Sequence, residues 1–570
     1  MKAFLSVFVI SVAVLLQAGC GGGTNSAPPP PVQLKFTSTP PASASEGQVY
    51  TYTMTVSGAG QNAVTYRLAS GPVGASISGS RLTWSPAANQ ARTANSFAVS
   101  AAVGTSTVSQ NWSLTPAGTI AGVGVVTYVT DSGTTQRPDD ATQFTIAAFA
   151  PDGRGGFSTL AGSGLPNGTY TIANVPTGHY WLQNGAHNYI WTSRSAVDTG
   201  HDTLGMPDRR YPTLSTTMDL FLTGLNPWQS GDEQQLYVLN TNSWRDFEWN
   251  LKDGTTDLFQ QISWTDPLLD ASHGDQMYLT QMVTTPTSAG PSVKVLAKAS
   301  EPIDDITQPD GTEVEVDAEL ESVPLDHFIR GNVSGSAFAQ MESGANPSAV
   351  PDSSYLYFDV HPGGAGYGWI GNTPDLIAFD GTDGPIRTDV DMGDIGYGNP
   401  YPESWEKFID YIHYVRMDYT ASGAQNSMTQ YAYFEVQTTD LPTVSNPVTP
   451  AIGPVVSPKI NNASFFNNTS GVGAMPSLSW NVPALGNATG YEVEVFRLYA
   501  DGTDSFTELA GDLFTKTTSV QVPPGVMTSG KSYYFRISAV YEPGADYETA
   551  PFRHGFPRAV AQSLSGIVTP

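Results

Sequence analysis

Apolar and polar residues alternate along most of this chain. YTYTMTV (50–56), FAVSAAV (97–103), YEVEVFRLY (491–499) and SYYFRISAVY (532–541) place apolar side chains at every second position. That period belongs to strands with one buried face. Turn-forming stretches such as SGAG, PDGRGG and ADGTD separate them. Long helical periodicity is nearly absent. In ESWEKFIDYIHY (403–414), the spacing of Trp405, Phe408 and Ile412 could begin a helix, with strand expected from Asp410 onward. The pattern predicts an all-β, multi-domain string of antiparallel β-sandwiches.

The N-terminus departs from alternation. Lys2 precedes an apolar run, Ala3 to Leu16, then Ala18, Gly19 and Cys20, the only cysteine among 570 residues. Charge, apolar core and small residues are the layout of a secretory signal. The run is shorter than the ~20 residues that span a bilayer. QAGC resembles the lipobox of bacterial lipoproteins, with Gln17 where that family carries Leu. The resemblance implies cleavage after residue 19, lipidation of Cys20, and a body anchored in the cell envelope, facing the periplasm or the exterior. GGGTNSAPPPPV (21–32) reads as a Gly/Pro tether. With no second cysteine, disulfides cannot staple the body.

Three further stretches resemble known sandwiches. Residues 33–117 resemble the immunoglobulin-like, cadherin-related modules of bacterial surface proteins, through Tyr66, Leu68, Pro72, Gly74, Trp84 and Pro86. Glu46 is the only acid in that unit, so the interdomain calcium clasp of related cadherin domains is not expected, and Trp84 is expected in the core. Residues 118–212 resemble the carboxypeptidase-regulatory-like, prealbumin-type sandwich, through Gly168, Tyr170, Ile172, Asn174, Val175, Pro176, Gly178 and Tyr180. Tyr170 and Ile172 share one strand face, and Tyr180 and Leu182 return to the same core. Residues 459–570 resemble a fibronectin type III domain with a C-terminal tail, through Leu478, Trp480, Tyr491, Val520, Val522, Tyr534, Phe535, Ile537 and Ala539. Between them lie 213–443, a large β-rich region resembling no named family, and a proline-rich linker, 444–458.

Charge narrows the partners. There are 25 Lys and Arg against 52 Asp and Glu, a net charge of -27. Nucleic acid is excluded as a partner, because that binding rests on neutralising phosphates. The expected contacts are a membrane through the lipid anchor, and a glycan or another envelope protein.

Catalytic signatures such as GxSxG, HExxH and a phosphate-binding Gly-rich loop are missing. Asp198-Thr199-Gly200 matches an aspartic-protease triplet, but no second Asp-Thr-Gly exists to share its proton. His179, His187 and His201 are close in sequence and could hold zinc, although their spacing defines no common face. The candidate calcium site is DGTDGPIRTDVDMGD (380–394), where Asp380, Asp383, Asp389, Asp391 and Asp394 occupy a glycine-bearing loop. IDDITQPDGTEVEVDAELE (303–321) reads as a solvated hairpin. Glu403 or Glu406 beside Trp405, with Asp389 or Asp391, supplies the residue types of a glycosidase. The sequence therefore favours a non-catalytic binding or adhesion lipoprotein with no assigned catalytic residue. The alternatives are a polysaccharide-active hydrolase with its site in 213–443, and a structural spacer docking an envelope protein.

Overall fold

The computed structural model describes residues 33–381 and 384–570. The chain is all-β and multi-domain, built mainly from antiparallel pairs. It divides into two compact units, residues 33–86 with 94–115, and residues 87–93 with 116–570. No helix is long and apolar enough to cross a membrane among the described residues. Cys20 and the tether lie outside the described residues.

The smaller unit packs two three-stranded sheets. One joins Tyr50–Thr53, Arg81–Trp84 and Ser76–Ser78. The other joins Thr65–Ser70, Asn95–Val103 and Ser106–Leu114. The alternation around residue 50 sends Tyr50, Tyr52 and Met54 inward against Leu82, Trp84 and Phe97. Trp84 is 1% exposed and edge-on to Phe97, with ring centroids 5.2 Å apart. It is a core residue, as expected.

In the larger unit one ladder of hydrogen bonds crosses the segment boundaries read from sequence. Met428–Thr438 of the central region pairs with Arg558–Leu564. That strand pairs with Ser532–Tyr541, and the ladder continues through Gly490–Asp501 to Asp504–Thr515. Asp504–Thr515 then pairs in parallel with Asn188–Thr192. The cores merge accordingly. Tyr170, Ile172, Tyr180 and Leu182 share one cluster, as their alternation requires, and Phe514, Val540, Tyr547 and Val560 complete it from the C-terminal segment.

Three local readings change. Glu406–Tyr419 is one continuous strand; alternate side chains from Ile409 to Val415 are buried, so period two prevails over the helical spacing of Trp405, Phe408 and Ile412. Residues 444–458 are packed rather than free. Val448, Ile452 and Val455 are buried, and Val448 exchanges backbone bonds with Asn332 and Ser334. The acidic stretch 303–321 contains the strand Glu313–Glu319, which pairs in parallel with Thr217–Thr223. Its acids face solvent while Val316 is buried.

Candidate functional site

Three neighbouring strands, Val350–His361, Glu406–Tyr419 and Met428–Thr438, carry the most distinctive surface of the central region. Alternation gives each two faces. One face sends Leu356, Phe358, Tyr411, Val415, Ala432 and Phe434 into the main core. The other carries Tyr355, Tyr357, Ile412, Tyr414, Tyr431 and Tyr433. Register brings these together, with Tyr355 opposite Ile412 and Tyr414 opposite Tyr433.

Five tyrosine rings gather there. Tyr355 and Tyr357 are nearly parallel, with centroids 6.1 Å apart and planes 11° apart. Tyr414 stands edge-on to Tyr355 at 5.7 Å and to Tyr431 at 5.9 Å, and contacts Tyr433 at 5.9 Å. Edge-to-face packing is the favourable arrangement for such quadrupoles. Between the rings lies a cavity of about 310 Å³, lined also by Asp352 and Ser353. Tyr431 is 42% exposed at its edge.

The polar groups suit a hydroxyl-rich ligand. Asp352 is held by the Arg416 guanidinium at 3.1 Å and by the Ser353 hydroxyl at 3.1 Å. This leaves a paired charge at the rim. The hydroxyls of Tyr355, Tyr357, Tyr414 and Tyr431 have no hydrogen-bond partner among the described residues. Burial, with Glu435 and Asp410 nearby, pushes the Tyr414 hydroxyl up to about 12. Burial also raises Tyr357. Both remain protonated donors at ordinary pH.

Further along the same face the tyrosines give way to acids. Gln437 donates to Asp410 at 3.2 Å and to Glu435 at 3.3 Å, and Arg558 donates to Glu435 at 3.2 Å. Burial raises the carboxyls of Asp410 and Glu435. Beyond them, Asp359 and Asp375 are each 6% exposed, too deep to touch a polymer.

The residues singled out from sequence are dispersed. Asp389, Asp391 and Asp394 lie on the strand Asp389–Tyr397 instead of in a loop, because that segment pairs with His327–Ser334. The pairing gives each aspartate a partner. Asp389 accepts from the Ser334 hydroxyl and from the Ser336 hydroxyl and backbone. Arg330 donates to Asp391 at 2.7 Å and to Asp394 at 3.0 Å. Asp380 is exposed on the strand Asp375–Gly381. Asp383 lies outside the described residues. No group of three or more metal-ligating side chains is gathered among the described residues.

The three histidines have separate surroundings. His179 stacks on Trp191 and pairs with Glu548, His187 faces the Ala510 carbonyl, and His201 is exposed. Asp198 closes a turn by accepting from the Gly200 backbone at 2.8 Å and pairs with Arg553. Trp405 is 2% exposed and stacked on Tyr401, so it is core rather than a sugar platform. Glu403 is a surface group beside Lys407.

The tyrosine face was missed in the sequence, although SYLYFDV and QYAYFEVQ display tyrosines at i, i+2 and YIHYVRMDY carries Tyr414 between them. In each, the alternate positions are also apolar, so the pattern does not reveal which face is open.

No protein-family profile matches the chain, and no curated protein matches it. Among solved structures it is similar to the Bacteroides ovatus mixed-linkage glucan utilization locus protein SGBP-B in complex with a mixed-linkage heptasaccharide. The identity is 12%, over 64% of this chain and 98% of that one, with a TM-score of 0.14. It is also similar to the N-terminal four Ig domains of Dscam1 isoform 8.4, at 12% identity over 68% and 96% of the two chains, TM-score 0.14. Sidekick-1 immunoglobulin domains 1–5 match at 9% identity over 94% and 98%, TM-score 0.14. At these TM-scores no site is carried over, and function rests on this chain's own surface.

Proposed function

We propose that the chain is a non-catalytic, lipid-anchored protein of the cell envelope that binds glycan strands on its tyrosine face. The observation that carries this reading is the cluster of Tyr355, Tyr357, Tyr414 and Tyr431 around an open cavity with the Asp352–Arg416 pair at its rim. Aromatic rings offer apolar faces to the C–H side of a sugar ring, and their hydroxyls and the paired charges meet its hydroxyl groups. A small set of polar groups placed in an aromatic pocket is the usual makeup of a ligand site.

The carboxylates also favour binding over hydrolysis. A glycosidase needs two carboxyl groups flanking the bond, one of them with a raised pKa. Asp389 and Asp391 are held below the usual carboxylate range, by the Ser336 hydroxyl and by Arg330 respectively. Of the raised carboxyls, Asp359 and Asp375 are buried away from any polymer, and Asp410 and Glu435 on the tyrosine face are engaged by Gln437 and Arg558.

Calorimetric titration with hexasaccharides of β-1,4-linked glucose, xylose, mannose and N-acetylglucosamine tests the proposal. We expect at least one to bind without turnover, and Tyr431→Ala to weaken that binding about tenfold, or about 1.4 kcal/mol. Absence of binding across the set, or release of reducing ends, overturns it. The anchor is tested separately by labelling cells with radioactive palmitate. Incorporation should be lost in Cys20→Ser.

A further inference from the structure

A second groove, sharing no residue with the tyrosine face, lies where Val125–Thr130 and Asp202–Leu204 meet the segments around residues 240 and 372. Its cavity is about 440 Å³. Tyr128 and Tyr211 supply aromatic surface, and Tyr211 is 65% exposed. Three asparagines, Asn240, Asn242 and Asn372, line it.

The asparagines are fixed by their own backbone contacts. Asn242 has φ 50, a left-handed conformation that Asn tolerates better than most residues. In that pose its side-chain oxygen accepts from the Asn372 backbone at 2.8 Å, and its carbonyl accepts from the Asn372 side-chain amide at 2.6 Å. Asn240 donates its amide to the Gly274 carbonyl at 2.9 Å, while its own carbonyl accepts from Met206 N at 2.8 Å. Leu204 N donates to the Ile370 carbonyl at 3.1 Å, which ties the walls together.

These ties occupy only half of each side-chain amide. Asn240 Oδ1 and Asn372 Oδ1 remain as acceptors and Asn242 Nδ2 as a donor, none with a protein partner among the described residues. The Tyr211 hydroxyl likewise has none. The groove thus presents donors and acceptors held in place before any ligand arrives, which lowers the ordering cost of binding.

Its charges are already matched. Asp266 is paired with Arg245 at 2.7 Å, Asp208 with Arg137 at 3.3 Å, and Arg209 with Asp275. A charged ligand would find no unpaired counter-charge among these three pairs. A ligand whose neighbouring groups each donate and accept, with an apolar flank for the Tyr211 ring, fits what remains. We infer that this groove is a second binding site for an uncharged glycan, so that one chain grips a polysaccharide at two points. The inference rests on the glycan-binding reading above. Two linked sites hold a polymer far more tightly than either alone when it spans both.

Titration of the full chain with the same four hexasaccharides tests this. We expect two sites per chain, one weakened about tenfold by Tyr211→Ala and the other by Tyr431→Ala. Tyr211→Phe keeps the ring and should retain its site within a few-fold. Thermal melts of each variant check that the fold survives, since Tyr211 is a surface ring. A single site that is sensitive to Tyr431→Ala and indifferent to Tyr211→Ala overturns the inference and leaves the tyrosine face standing. A single site with the reverse sensitivity supports the groove and overturns the tyrosine face. No binding of any hexasaccharide at millimolar concentration overturns both.

Discussion

Asp359 and Asp375 sit opposite each other in register on the antiparallel strands Val350–His361 and Asp375–Gly381, each 6% exposed. Gln235 donates to Asp375 at 2.7 Å and the Thr373 hydroxyl donates to Asp359 at 3.0 Å. Glu233, held by Lys294 at 2.8 Å, accepts from the same Gln235 amide. Lys294 is thus the cation of a cluster containing three buried acids.

That pair makes stability depend on pH. Burial, with Glu233 nearby, pushes the Asp375 carboxyl up to about 7, and burial with Asp375 beside it also lifts Asp359 well above the usual carboxylate range. The folded state then holds protons that the unfolded state releases near its ordinary value of 3.8. The contribution of this pair is fully present below that value and is lost as pH rises through about 7 and beyond, a loss on the order of a few kcal/mol. Chemical denaturation across this range should show the decline. Asp375→Asn should flatten the curve and raise stability at pH 8. A pH dependence in Asp375→Asn identical to that of the wild type would contradict the raised carboxyls.

Arg553 ties the C-terminal segment to the 118–212 segment. It donates to Asp198 at 3.2 Å, to the Thr127 hydroxyl at 3.1 Å, to the Val125 carbonyl at 2.8 Å, and to Asp202. Arg553→Ala strands two carboxylates and should cost about 2–4 kcal/mol in a denaturant titration. Arg553→Lys should recover little, because an ammonium lacks the planar fork that reaches four acceptors. Full recovery by lysine would show that charge alone matters there.

Calcium should leave the 380–394 stretch unchanged. Arg330 and two serines already occupy Asp391, Asp394 and Asp389, whereas calcium needs six to eight oxygens converging on one point. Melting temperature should shift by less than about 1 °C between millimolar calcium and excess chelator. A rise of several degrees that is lost in Asp391→Asn would restore the calcium reading.

The net charge of -27 should govern glycan choice. A polyuronate approaches against the field of the whole chain, and acids continue the tyrosine face. Polygalacturonate should bind at least tenfold more weakly than a neutral glycan of equal length at low salt. Raising salt to 0.15 M should narrow the gap through screening. Equal affinity at low salt would place the site outside that field.

Much of the fold was legible because strands announce themselves by period two. Trp84 and the Tyr170–Leu182 pattern ended in cores, where large aromatic and aliphatic side chains remove the most surface from water. The site was far less legible. Trp405 stood out beside acids and is buried, while Tyr355, Tyr414 and Tyr431 read as ordinary strand residues. Asp389, Asp391 and Asp394 resembled a cation loop only until His327–Ser334 supplied a partner strand carrying Arg330.

The amino-acid sequence by itself determined that the chain is built of short strands, that it carries a net charge of -27, and that no disulfide can form within it. Those properties are local or additive, so they survive without knowledge of any partner. Tertiary structure alone decided which face of each strand stays open, and which carboxylates meet a cation. Both depend on pairing between segments hundreds of residues apart, such as Asn188–Thr192 with Asp504–Thr515. Alternation marks two faces on every strand, and only the neighbour that arrives determines which one is covered.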